Sequence, residues 1–159
     1  MKKKLLYTCQ KGASAVEFAI VLPLLLAFIF GIIEFGILLY DKAIITNASR
    51  EGARTAVLFH MNVSKESIPY PAGEVITMVQ SYTSNRLINF SGATPSVTVS
   101  AVTPSAGVNY RTVTVTYEYS FLLLPNVLGT LWGVNSVTMN GTIPLSAATT
   151  MRMEDQDVT

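Results

Sequence analysis

Phe18-Ala-Ile-Val-Leu-Pro-Leu-Leu-Leu-Ala-Phe-Ile-Phe-Gly-Ile-Ile-Glu-Phe-Gly-Ile-Leu-Leu-Tyr40 decides how the rest of the chain is read. Its residues favour a helix, and at ~1.5 Å rise per residue the run is roughly 34 Å long, enough to cross a ~30 Å hydrocarbon core with modest tilt. A soluble core helix rarely needs so many consecutive apolar residues, so a membrane span is expected here, inside a longer helix running to Phe59. The residues before it read as a leader, and those after it as a domain held on the far side.

The chain has 159 residues, of which 13% are charged, and a mean hydropathy of +0.42. That balance excludes a disordered chain and fits one span plus one small domain. Of eleven basic residues, Lys2, Lys3, Lys4 and Lys11 crowd the N-terminus, leaving seven against ten acidic ones. No nucleic-acid footprint is expected from such a balance. The lysine cluster places the N-terminus in the cytoplasm and the C-terminal domain outside, with the mixed charges Asp41, Lys42, Arg50, Glu51 and Arg54 opposing this weakly. Cys9 is the single cysteine, so no disulfide can staple the outer domain, and only Leu5, Leu6 and Tyr7 precede it where a lipoprotein signal needs a longer apolar segment.

The leader itself is unusual. A secretory signal carries its small-residue cleavage site after the apolar segment, whereas here Gly12, Ala13, Ser14 and Ala15 come before it. Cutting between Gly12 and Ala13 would leave the apolar helix on the mature chain, with Glu17 fifth.

A basic leader, Gly, four residues, Glu and an apolar helix is the prepilin pattern. More narrowly, Gly12-Ala-Ser-Ala-Val-Glu-Phe-Ala-Ile-Val-Leu-Pro-Leu-Leu-Leu26 resembles the opening of TadE-like pseudopilins. Gly31-Ile-Ile-Glu-Phe-Gly36 and Asn47-Ala-Ser-Arg-Glu-Gly-Ala-Arg54 are similar to that family's continuation, and Leu145 to Glu154 more loosely to its ending. The close resemblance covers about residues 11–57. It implies a minor pilin of the tight-adherence (Flp) pilus, in the bacterial inner membrane or the fibre, cut by a prepilin peptidase. The implied partners are other pilins, the assembly platform and membrane lipid. Ala13 stands where major type IV pilins carry Phe, which leaves N-methylation open.

Charges within the apolar run mark function or pairing. Glu17 is expected either to meet the α-amino group created at Ala13, in its own chain or a neighbour, or to rest at the headgroup level. Glu34 is expected to be neutral or paired with a partner helix, with Gly31 and Gly36 leaving room beside it. Pro23 removes a backbone donor and is read as a kink, either tolerated or a hinge. Beyond Tyr40 the helix turns amphipathic: Ile44, Ile45, Ala48, Ala56 and Phe59 form an apolar stripe. Arg50, Glu51 and Arg54 take other faces as a charged stem surface, Glu51 and Arg54 spaced for a surface ion pair.

The fold class expected is α+β: this helix, then a small domain of one helix and a three-stranded antiparallel sheet. The division is leader 1–12, span and stem 13–59, linker 60–73, outer domain 74–153 and a frayed tail 154–159. The breakers Ile68-Pro-Tyr-Pro-Ala-Gly73 mark the boundary, a second helix fits Glu74 to Phe90, and strands fit Ser96–Val102, Arg111–Tyr119 and Ser136–Leu145. The apolar stretch Phe121 to Trp132 is expected to cover the sheet core or to meet the outer leaflet or a partner.

Enzyme chemistry has little to stand on. His60 is the single histidine, no Cys/His/carboxylate cluster has metal-ligand spacing, and the glycines form no phosphate loop. No cofactor and no catalytic residue is expected. Two readings remain: a pseudopilin that assembles through its helix, or an uncleaved, membrane-anchored ligand-binding module.

Overall fold

A computed structural model describes residues 10–61, 67–90, 92–105, 107–122 and 142–153. One helix, α1 (Gln10–Ala56, 47 residues), runs the length of the molecule and passes through Pro23 without a break. A two-stranded antiparallel ribbon follows, β1 (Phe59–Met61) on β2 (Ser67–Pro69), within the segment read as linker. Next come α2 (Ala72–Ser84) and the strands β3 (Ser96–Val99), β4 (Thr103–Ser105), β5 (Val108–Ser120) and β6 (Thr142–Arg152).

The α+β class agrees with the sequence reading, and the strand count does not: the main sheet has four strands, not three. β5 is central, with β3 and β4 along one side and β6 along the other, all antiparallel. The additional strand, β4, occupies what reads as a loop between strands. Gly107 adopts φ +78, the left-handed conformation glycine tolerates best, and the turn folds Thr103–Ser105 back on Val108–Tyr110.

Other boundaries also move: α1 stops at Ala56 rather than Phe59, which instead opens β1. The second helix stops at Ser84 rather than Phe90, because the exposed Asn85 and Arg86 face water and the Asp41 carboxylate takes the Ile88 amide at 3.0 Å, drawing the chain out of the helical path. The last strand runs on to Arg152, since Leu145, Ala147, Thr149 and Met151 keep alternating on the core side while Ser146, Ala148 and Thr150 face out. Residues 136–141 of the expected strand, like most of Phe121–Trp132 and the tail 154–159, lie outside the described residues.

Strict Val/Thr/Tyr alternation makes β5 two-faced. Arg111, Val113, Val115, Tyr117 and Tyr119 are buried beneath the helices, and Thr112, Thr114 and Thr116 line the other face. From α1, Ile45, Ala48, Ala53 and Ala56 close on that core, joined by Val75 and Val79 of α2 and Leu145 of β6. Full burial of a Val, Ile or Tyr side chain is worth roughly 1.5–3 kcal/mol, so this seam fastens α1 to the sheet. The approach is closest at Gly52, where a Cβ would stand 2.6 Å from Val79 Cγ2 and 3.1 Å from Val113 Cγ1.

The polar contacts fix the direction of packing. Going up α1, the Glu34 carbonyl accepts from Tyr119 Oη, Lys42 Nζ donates to the Ser146 carbonyl, Ser49 Oγ meets Thr149 Oγ1 at 2.8 Å, and the Ala56 carbonyl accepts from Arg111. β5 therefore runs antiparallel to α1 and β6 parallel to it, so the sheet stands upright along the helix from Glu34 to Ala56.

Candidate functional site

The functional candidate is α1 itself, which changes character at Glu34. Below that residue, from Gly12 to Ile33, no residue of α1 is buried. Its most apolar eighteen-residue window has a mean hydropathy of 2.7 and none of it is buried, which makes this a helix long and apolar enough to cross a membrane. Gly12, Ala13 and Glu17 are exposed at its start, and Pro23 is half-buried. Glu17 and Glu34 are far apart along the helix and serve no common site.

From Gly12 onward, Glu34 is the first buried residue of α1, only 3% exposed between Ile33 at 50% and Phe35 at 58%. Its carboxylate Oε1 accepts the Leu122 amide, and its backbone carbonyl accepts Tyr119 Oη at 3.4 Å. A hydrogen-bonding group for Glu34 is thus supplied from within the chain, by the end of β5. Tyr119 is held in turn edge-on to Phe121, with ring centroids 5.4 Å apart. Burial first, and then the nearby Glu34 carboxylate, push the Tyr119 phenol up to about 12.

Two buried charges escaped the sequence reading. Asp41 has no exposed surface; its Oδ1 accepts the Ile88 amide while Oδ2 has no partner among the described residues. Burial raises its pKa above the ordinary carboxylate value, and the Ile88 hydrogen bond offsets part of that rise. Arg111 caps the end of α1: Nη1 donates to the Ala56 carbonyl at 2.9 Å and to the Tyr70 carbonyl at 2.7 Å, while Nε reaches Ser100 O at 3.5 Å. Helix C-terminal carbonyls carry partial negative charge, so this end is where a buried cation is best tolerated. The signal for Arg111 was present, since it shares alternation parity with Val113 and Tyr119. Asp41 gave only its position at the end of the apolar run.

An apolar groove is lined by Ala27, Phe28, Gly31, Ile32, Phe35, Gly36 and Leu39. Ala27 and Gly31 stand four apart, the small-residue spacing that lets membrane helices approach closely and that Gly31 and Gly36 lack. Higher on the helix, Arg50, Glu51 and Arg54 are exposed, and the expected Glu51–Arg54 ion pair is not formed. No three His, Cys, Asp or Glu side chains converge as metal donors among the described residues.

Comparison with known proteins places a family on this helix. The model of the TadE-like protein family matches residues 12–54, from the glycine of the proposed cut to the second stem arginine. No curated protein and no solved structure matches the chain. The matched segment covers both the uncovered apolar half of α1 and the half packed on the sheet, Gly52 included. Over residues 12–54, the chain is similar to TadE-like proteins.

Proposed function

We propose that this chain is a minor pilin or pseudopilin of the tight-adherence pilus, cut after Gly12 by a prepilin peptidase and assembled through α1. The family match associates it with the Tad pilus system in general. The observation that carries the finer reading is that the match starts at Gly12 and continues along a helix whose apolar half the protein's own domain leaves uncovered. A helix that served only as an anchor would need no small-residue cleavage site ahead of it. The lysine-rich end lies in the cytoplasm and the domain outside, Glu17 neutralises the new amino group at Ala13, and other pilins and the assembly platform pack against the groove from Ala27 to Leu39. No catalytic role is assigned to any residue.

Intact mass and N-terminal sequencing of the membrane-extracted protein, made with its native peptidase, tests this. A chain beginning at Ala13 is expected, and a Gly12 variant should stay uncut. A wild-type chain that keeps Met1 to Gly12 overturns the reading in favour of an anchored binding module.

A further inference from the structure

We infer that the base of the outer domain, around Leu122 and Ile143, is a second membrane contact that rests in the interfacial zone of the bilayer and sets how deep α1 sits. The inference depends on α1 spanning the membrane.

Length brings the base to the bilayer. Residues 13–33 are the part of α1 between the proposed cut and the first residue the domain buries. Those 21 residues extend ~32 Å, against a hydrocarbon core of ~30 Å. Packing on the sheet begins at Glu34, so with the helix start at one interface the domain base arrives at the other. The apolar run continues to Tyr40, and by sequence alone the helix could sink ~10 Å further. The sheet prevents that, because sinking would carry the end of β5 and the Leu122 amide into hydrocarbon, where irregular backbone is not tolerated against lipid.

The chemistry of the base agrees. Leu122 is fixed at the height of Glu34 by its amide hydrogen bond, and Ile143 by its pairing with Tyr119, which bonds the Glu34 carbonyl. Leu122 is 46% and Ile143 41% exposed, at the end of the domain that meets the bilayer. Apolar side chains at that height are stabilised by the headgroup–acyl boundary. Glu34 gains as well. Its carboxylate stands where charge begins to be costly, and the domain base screens it from lipid.

Exposure alone does not carry this, and Leu58 is the built-in control. It is 52% exposed but follows the distal end of α1, about 33 Å from Glu34. The test uses the full chain with Cys9→Ser, reconstituted in phosphatidylcholine vesicles. Nitroxide labels are placed at Leu122→Cys, Ile143→Cys, Leu58→Cys and Val21→Cys. Collision with oxygen, which partitions into lipid, is compared with collision with a water-soluble nickel chelate. Labels at 122 and 143 should be oxygen-accessible with nickel accessibility several-fold below that at 58. Nickel accessibility at 122 and 143 equal to that at 58 overturns the proposal, while a lipid-buried 21 leaves the span standing. Low accessibility to both reagents at 122 and 143 means that protein covers the base, which also overturns it. A label at 21 open to nickel removes the span reading, and the resting base with it.

Discussion

Gly52→Ala should destabilise the outer domain, although the same substitution in an ordinary helix stabilises it. Alanine in place of glycine in a helix interior gains about 1 kcal/mol. Here the new methyl would lie 2.6 Å from Val79 Cγ2 and 3.1 Å from Val113 Cγ1. Neither valine can swing aside. Both are fully buried; Val79 is a β-branched residue with one strongly preferred rotamer in α2, and Val113 sits in the central strand. α1 must therefore back away from the sheet, loosening the contacts of Ile45, Ala48 and Ala56. Overpacking of a tight core costs about 1–3 kcal/mol, so the net loss after the helix gain is up to roughly 2 kcal/mol. For a domain of this size, each kcal/mol moves Tm by about 4–8 °C. The assay is thermal unfolding in micelles, followed by the near-ultraviolet signal of the buried Tyr117 and Tyr119, for wild type, Gly52→Ala, Val79→Ala and the double variant. Removing the Val79 methyls makes room for the alanine, so the double variant should be less damaged than the sum of the singles by about 1 kcal/mol. Gly52→Ala melting at or above wild type, or strict additivity, would refute the close-approach argument.

Arg111→Met strips three carbonyls at the top of the domain of their donor and should cost roughly 2–3 kcal/mol; Arg111→Lys should recover only part, because one ammonium cannot fork to all three. Asp41 binds its proton more tightly folded than unfolded. Its contribution to stability is therefore largest below the ordinary pKa of 3.8 and is lost as pH rises from there through the raised folded value. Asp41→Asn should flatten that slope and raise stability at neutral pH by roughly 1 kcal/mol, the scale of a buried polar atom left without a partner, as pH-dependent melting would show. Ultraviolet titration should find one tyrosine, absent in Tyr119→Phe, that ionises only near pH 12, and the stability it contributes should fall as pH rises above the ordinary value of 10.0.

Those residues divide by how far their signals travel along the chain. The apolar run, the Val/Thr/Tyr alternation of β5 and the stem stripe are local patterns, and each appeared where its period placed it, except that Phe59 of the stripe falls in β1. β4 was missed because its pairing depends on the turn at Gly107, within a stretch that reads as loop. The ending of β6 was missed because Ala147 and Ala148 are weak strand formers, and the packing on α1, where Thr149 Oγ1 meets Ser49 Oγ, is what carries the strand on. Asp41 and Arg111 owe their burial to contacts 47 and 55 residues away in the chain, to Ile88 and Ala56.

Glu34 shows where reasoning about membrane charge from sequence stops short. A carboxylate inside an apolar run must be neutral, paired or shielded, and the run alone offers only another helix as the partner. The sheet adds a further answer, because β5 runs down α1 far enough for Leu122 to reach it. That answer shortens the stretch of α1 without a buried side chain: the apolar letters continue to Tyr40, but burial begins at Glu34, and above it Phe35, Leu39 and Tyr40 stay exposed on one flank. Beyond this residue one face of the helix packs on its own domain, while the apolar groove from Ala27 to Leu39 runs past it on the exposed flank. Glu34→Gln keeps an acceptor for the Leu122 amide and should leave the domain folded. Glu34→Ala removes it and should free the end of β5, measured as faster amide exchange at Leu122 and Phe121. If both variants exchange as wild type does, the Glu34–Leu122 contact does not hold the base against the helix, and the depth of the span must be set by something other than the sheet.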